Sequence, residues 1–255
     1  MTTKWFRCPW PLASPRFRLF CFPHAGGGAG MFHQWPGRLA ATGIEVWTAQ
    51  LPGRENRIHE TPLDHLPSLV NQLAGHFPAG HEPPFLFFGH SMGGLLAYEL
   101  ARALRQNRRT APILLIIAAA AAPHAPLPEP HLNNLPRPAL LAALETRYGG
   151  IPPAIVDHAE LLDLLMPPLR ADMRLCETYV YRPEPPLSCT IITLGGLEDS
   201  AITRRDLTGW QQHTTQQFEL HLLPGGHFFV QQEVDTLLPL LSKRIALHTA
   251  RDAPN

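Results

Sequence analysis

Apolar residues along this chain fall into two kinds of run. Short continuous stretches at 18–22, 44–49, 85–88, 112–119, 190–194 and 218–222 suit strands buried on both faces. Between them, over 31–41, 66–77, 92–106, 204–214 and 234–247, apolar positions recur at the three- and four-residue spacing of amphipathic helices. Strands alternating with helices predict an α/β fold, with a mostly parallel central sheet covered by helices on both faces. In such sheets reactive groups gather in loops at the carboxyl ends of the strands.

One segment breaks the alternation. Over about 128–181 the apolar residues keep helical spacing with no convincing strand, and 138–148, 155–165 and 168–180 each predict a short helix. Gly149-Gly150-Ile151-Pro152-Pro153 and Met166-Pro167-Pro168 are the expected joints. An insertion here, after the strand at 112–119, predicts a helical lid above the active face of one domain spanning 1–255. The plain alternative is an insertion that only packs on the core.

Composition narrows the class. With 255 residues and 45% hydrophobic content, the chain can bury the core of one α/β domain. Its formal net charge of zero attracts neither nucleic acid nor an anionic membrane. The cluster Arg105-Gln106-Asn107-Arg108-Arg109 fits a solvated helix end. Four scattered cysteines make no disulfide framework, and no His or Cys spacing marks a metal site. The start Met1-Thr2-Thr3-Lys4-Trp5 does not resemble a signal peptide, and no apolar run is long enough to span a bilayer. A cytoplasmic, monomeric protein is the expectation.

Candidate chemistry centres on Gly89-His90-Ser91-Met92-Gly93, which follows the apolar run 85–88 and precedes a helix-forming stretch. Strand, Gly-x-Ser-x-Gly and helix form the nucleophile elbow of α/β hydrolases, in which a strained turn lifts a serine hydroxyl above the sheet. Without that context Ser91 would be an ordinary turn serine. A serine nucleophile needs a histidine base, and the histidine needs a carboxylate to orient it. His227 lies in Pro224-Gly225-Gly226-His227-Phe228-Phe229, directly after the last strand-like run, and is the expected base. Glu198 and Asp199 both sit on the loop after the preceding strand; a loop acid there has a plain alternative role in capping the helix near Arg204. Backbone N–H donors for a tetrahedral oxyanion are expected from Met92 and from the glycine-rich Pro23-His24-Ala25-Gly26-Gly27-Gly28. That loop matches neither Gly-x-Gly-x-x-Gly nor a P-loop, and His24 is expected to shape it.

Taken together, the chain resembles the stand-alone type II thioesterases that accompany modular polyketide and nonribosomal peptide synthases. The resemblance covers nearly its whole length. It rests on Phe22-Pro23-His24-Ala25-Gly26-Gly27-Gly28, Gln50-Leu51-Pro52-Gly53-Arg54-Glu55-Asn56-Arg57, Gly89-His90-Ser91-Met92-Gly93-Gly94, Leu169-Arg170-Ala171-Asp172 and Gly225-Gly226-His227-Phe228-Phe229. It implies an α/β-hydrolase fold, a triad of Ser91, Asp199 and His227, and oxyanion amides on Met92 and Ala25. It also implies hydrolysis of acyl thioesters on the phosphopantetheine arm of acyl or peptidyl carrier protein domains, with no cofactor of its own. One departure is visible: the alanine run 118–122 stands where relatives often carry a serine–glycine pair. Arg54, Glu55 and Arg57 remain unassigned: an ion pair bracing the loop beside the active face and a direct contact to substrate are the two readings. An esterase or lipase on free esters, an acyltransferase, and a non-catalytic binding relative are the rival readings.

Overall fold

The computed structural model describes residues 3–78, 83–107, 110–126, 131–151 and 153–249. Met1, Thr2, Arg108, Arg109, Pro152 and the start of the insertion at 128–130 lie outside the described residues.

Seven strands form one sheet: β1 (Phe6–Arg7), β2 (Phe17–Phe22), β3 (Ile44–Ala49), β4 (Phe85–His90), β5 (Leu114–Ala118), β6 (Thr190–Gly196) and β7 (Phe218–Leu223). Their order is β1-β3-β2-β4-β5-β6-β7, and every neighbouring pair is parallel except β1 with β3. Strands β3, β4 and β5 are buried at every position; β5 and the Phe85–Phe88 part of β4 read as uninterrupted apolar runs, while β3 buries Glu45 and Thr48 among its apolar residues. The two-residue β1 carries too little pattern to be seen in the sequence.

Helices cover both faces. α2 (Leu66–Gly75) and α3 (Met92–Gln106) pack on one side, in a core that includes Phe20, Phe87, Leu96 and Leu100. α1 (Trp35–Leu39), the single turn α8 (Phe229–Gln232) and α9 (Val234–Thr249) close the other, around Phe88, Ile116, Leu237 and Leu241.

Two expected helices outside the insertion come out differently. The stretch 31–41 breaks into a 3-10 turn at Ala29–Phe32, the short α1, and a second 3-10 turn at Ala40–Thr42. Pro36 sets the start of α1, and Gly43 at φ 76° ends the last turn. The stretch 204–214 is α7 (Arg204–Thr208), opened by a Thr203–Asp206 capping box, followed by a 3-10 turn at Gly209–His213.

The insertion differs most. α4 (Arg137–Tyr148) forms as expected and ends at Gly149, whose φ is 87°. Beyond it lie a single turn, α5 (Pro153–Val156), and one continuous helix, α6 (Ala159–Glu177), which runs straight through Pro167 and Pro168. The expected joint at Met166-Pro167-Pro168 is therefore absent. Two missing N–H groups cost the helix bonds to the carbonyls of Asp163 and Leu164, and both of those residues are exposed, so water can solvate them. On the opposite face Leu162, Met166, Leu169 and Met173 pack against Leu140 and Leu144 of α4 and hold the helix together.

Candidate active site

β4 ends directly in the turn that carries Ser91. The residue adopts φ 53° and ψ −118°, a strained conformation for an L-residue. Its N–H donates to the Ala118 carbonyl at the end of β5 (2.8 Å), and its carbonyl accepts from Gly94 N–H (2.9 Å). Glycine is obligatory beside it: a Cβ on Gly93 would stand 2.1 Å from the Phe22 carbonyl oxygen, and one on Gly89 would stand 2.1 Å from the Gly93 carbonyl oxygen. Ser91 opens α3 yet makes no side-chain cap, leaving its hydroxyl for another partner.

That partner is His227. The Ser91 hydroxyl donates to His227 Nε2 (3.0 Å), and His227 Nδ1–H donates to Asp199 Oδ2 (2.9 Å). The imidazole and carboxylate side chains are 4% and 0% exposed. The other oxygen of Asp199 accepts from Ala201 N–H (2.9 Å) and Ile202 N–H (3.2 Å), which fixes the carboxylate plane. Glu198 is exposed, and Asp206 caps α7, so each of the three acids has its own place. Loops after β4, β6 and β7 thus bring together residues 136 and 28 positions apart.

Two further imidazoles support this line. His90 is fully buried and donates from Nε2 to the His227 carbonyl (2.8 Å), tying the elbow to the histidine loop. Burial, with the His24 and His227 rings beside it, lowers its pKa well below the ordinary histidine value. His24 donates from Nδ1 to the Ala25 carbonyl (3.0 Å), and burial lowers its pKa to about 4. The bond from His24 Nδ1 to the Ala25 carbonyl lies within the glycine loop itself.

The glycine loop and α6 are joined by a buried ion pair. Arg54 donates to Asp172 through both terminal nitrogens (2.6 and 2.9 Å), with side chains only 7% and 1% exposed. Arg54 also donates to the Gly27 carbonyl (2.9 Å), while Asp172 Oδ2 accepts from Gly26 N–H (2.7 Å). Glu55, at φ 49°, accepts from Gly30 N–H (2.7 Å). Arg57 pairs with Glu60, donates to the Gln50 carbonyl (2.6 Å), and lies 4.1 Å from the Trp5 ring centroid. These residues do brace the loop, but not by pairing with one another. Asp172 was the unseen half of the pair.

A cavity of about 980 Å³ opens above Ser91. Ala25, Met92 and His227 line its floor; Leu165, Leu169 and Met173 of α6 line its other wall. Tyr148, at the end of α4, also lines it and meets the His227 ring at 4.8 Å between centroids. Nothing in the sequence marked Tyr148, which reads there as a helix-end residue. The alanine run contributes Ala119 to Ala122 to the same cavity, and Ala119 holds φ 50°, in the left-handed region that favours glycine. Ala25 and Met92 line this cavity together with Ser91, and Met92 opens α3, where the first amides have no acceptor within the helix.

This arrangement can activate a hydroxyl and receive an apolar acyl group. A family model of the thioesterase domain matches residues 17–245. Gramicidin S biosynthesis protein GrsT of Aneurinibacillus migulanus is 35% identical over 244 residues, covering 96% of this chain and 94% of that protein. LgrE of Brevibacillus parabrevis, named as linear gramicidin dehydrogenase, is 36% identical over 246 residues, covering 95% and 93%. The type II thioesterase BorB from the borrelidin biosynthetic cluster superposes with a TM-score of 0.84 at 34% identity, covering 97% and 98%. The dehydrogenase in the second name has no counterpart in the loop after β2, which lacks the Gly-x-Gly-x-x-Gly fingerprint.

Proposed function

The chain belongs to the thioesterase family, and on that premise we propose that it hydrolyses acyl thioesters carried on the phosphopantetheine arm of acyl or peptidyl carrier proteins. The observation that carries this reading is the hydrogen-bonded line from Ser91 through His227 to Asp199, set at the floor of an apolar cavity. In the first half-reaction Ser91 Oγ attacks the thioester carbonyl carbon while His227 Nε2 takes its proton. Ala25 and Met92 N–H groups receive the negative oxygen of the tetrahedral intermediate. The C–S bond breaks, and the thiol of the arm leaves with the proton from His227. Water then attacks the acyl-serine, His227 taking and returning a proton, and the free acid departs. Asp199 holds the imidazole tautomer and steadies the imidazolium.

GrsT and BorB, whose names place them in biosynthesis of gramicidin S and borrelidin, support this substrate class. By the same token the role is clearance of stalled or wrongly primed acyl groups from a modular synthase. Helices α4 to α6 act as the lid over the acyl chamber, on a single domain that needs no cofactor of its own. Among the described residues no helix is long and apolar enough to cross a membrane. We place the enzyme in the cytoplasm, as a monomer meeting its carrier partner.

Intact-mass analysis of acetyl-, propionyl- and longer acyl-loaded carrier proteins, with wild type and Ser91→Ala, tests the proposal. Wild type should return free carrier protein and Ser91→Ala should not. If a simple aryl ester is strongly preferred in kcat/KM over the acyl carrier, an esterase on free esters is the better reading.

A further inference from the structure

The two peptide units flanking Ala25 are hydrogen-bonded almost completely. The His24 carbonyl accepts from Gly27 N–H (2.9 Å), and the Ala25 carbonyl accepts from His24 Nδ1 (3.0 Å). Gly26 N–H donates to Asp172 Oδ2 (2.7 Å). Among the described residues this leaves the Ala25 N–H as the one polar group of these two peptides with no protein partner, and Ala25 lines the cavity beside Ser91.

Three of the four groups are thus fixed, and one of the fixing bonds comes from a side chain 146 positions away. That side chain cannot swing. Arg54 grips both oxygens of Asp172, so the carboxylate plane is set, and the remaining capacity of Oδ2 is spent on Gly26. Arg54 also bonds the Gly27 carbonyl, holding the loop on its other side. A buried ion pair is a poor route to stability, because apolar residues of similar volume do as well or better. Its distinctive contribution is direction. Gly26 itself adopts φ 75°, and a Cβ there would lie 3.1 Å from the Leu169 side chain, so loop and helix are in close contact.

We infer that Asp172, oriented by Arg54, is a positioning residue for the reaction: it pins the Ala25–Gly26 peptide and thereby aims the Ala25 N–H at the developing oxyanion. This rests on Ala25 serving as an oxyanion donor, as proposed above. The contact acts on the transition state and not on the acyl chain, so it should matter equally for every substrate that Ser91 attacks.

The test compares Asp172→Ala, Asp172→Asn and Arg54→Lys with wild type on an acyl carrier protein and on a short aryl ester. It adds the affinity for an alkyl boronic acid, whose Ser91 adduct mimics the tetrahedral oxyanion, and for a non-hydrolysable thioether analogue of the substrate. Losing an oxyanion donor outright lowers kcat by about 10²–10³-fold, so Asp172→Ala should lower it by at least roughly tenfold. The loss should be equal on both substrates and matched by weaker boronate binding, with KM and thioether affinity unchanged. Asp172→Asn keeps an oxygen for Gly26 N–H and should fall between. If Asp172→Ala does not fold, Asp172→Asn and Arg54→Lys carry the same comparison. Unchanged kcat and boronate affinity in folded variants, or a loss confined to long acyl chains, would overturn the inference. Should wild type fail on acyl carrier protein while the boronate pattern holds, the proposed substrate falls and the positioning role stands.

Discussion

The ring of Tyr148 meets the ring of His227 at 4.8 Å between centroids, tilted by 51°. A residue of the inserted helices therefore touches the imidazole that connects Ser91 to Asp199. An aromatic pair of this kind is worth about 1 kcal/mol beyond area burial. Tyr148→Ala should lower kcat by roughly fivefold on any ester, whereas Tyr148→Phe, which keeps the ring, should stay near wild type. Steady-state kinetics on a short aryl ester checks this. Equal losses in both variants would assign the effect to the phenol hydroxyl instead.

The elbow tolerates no side chain at Gly93. Gly93→Ala drives a Cβ to 2.1 Å from the Phe22 carbonyl oxygen and 2.6 Å from its carbon, both rigid backbone. We expect a loss of roughly 1–3 kcal/mol or more in stability, seen as a lower unfolding midpoint. Gly37→Ala is the control, since an added Cβ there meets nothing within 4 Å. Inside α1 it should be neutral or stabilising by up to about 1 kcal/mol.

Acid should destabilise the fold through buried imidazoles. Burial, with His124 and the Arg102 cation nearby, lowers the His213 pKa from 6.5 to about 4. The ring is 4% exposed and is hydrogen-bonded to Tyr98 and His124. An unfolded chain takes up the proton below pH 6.5, whereas the native protein refuses it until about 4. The stabilisation is therefore whole above 6.5 and is lost as pH falls through that window, at about 1.4 kcal/mol per pH unit for one such group. His24 and His90 shift in the same direction and add to the slope. Unfolding midpoints should hold level from pH 7.5 to 6.5 and fall steadily from 6.5 to 4.5; a flat profile across the whole range would contradict the neutral native state of these rings.

Acyl length should respond to the alanine run. Ala121 lines the cavity, and a larger side chain there takes space from the acyl group. Each methylene kept out forfeits about 0.8 kcal/mol, so excluding three or four costs roughly 100-fold in kcat/KM. Ala121→Phe should spare an acetyl carrier and suppress a decanoyl one, measured by release of free carrier thiol. Equal effects on both chains would remove the run from the acyl chamber.

The sheet and the loops that carry Ser91 and His227 were legible because their signals are local, whereas the choice of Asp199 over Glu198 came only from the family resemblance. Continuous apolar runs mark buried strands, and each member of the line sits on a loop directly after such a run. The glycines beside Ser91 reflect backbone crowding, and Gly225 before His227 a left-handed turn at φ 94°, both of which a one-dimensional pattern preserves. What escaped depends on contacts across the chain. Arg54 and Asp172 lie 118 positions apart, and neither carries a mark of the other. The continuity of α6 through Pro167 and Pro168 is likewise set by packing against α4, which overrides a strong local breaker. Tyr148, at the end of α4, meets His227 through a contact between segments distant in the chain, which no local pattern records.

The central claim is that Ser91 becomes acylated during turnover. Rapid-quench mass spectrometry of the enzyme mixed with excess acyl carrier protein reads this directly. Peptide mapping should find the acyl mass on the peptide containing Ser91 within the first turnover, and Ser91→Ala should never acquire it. Turnover at the wild-type rate with no acyl adduct on Ser91, or with the adduct on another residue, would contradict the account.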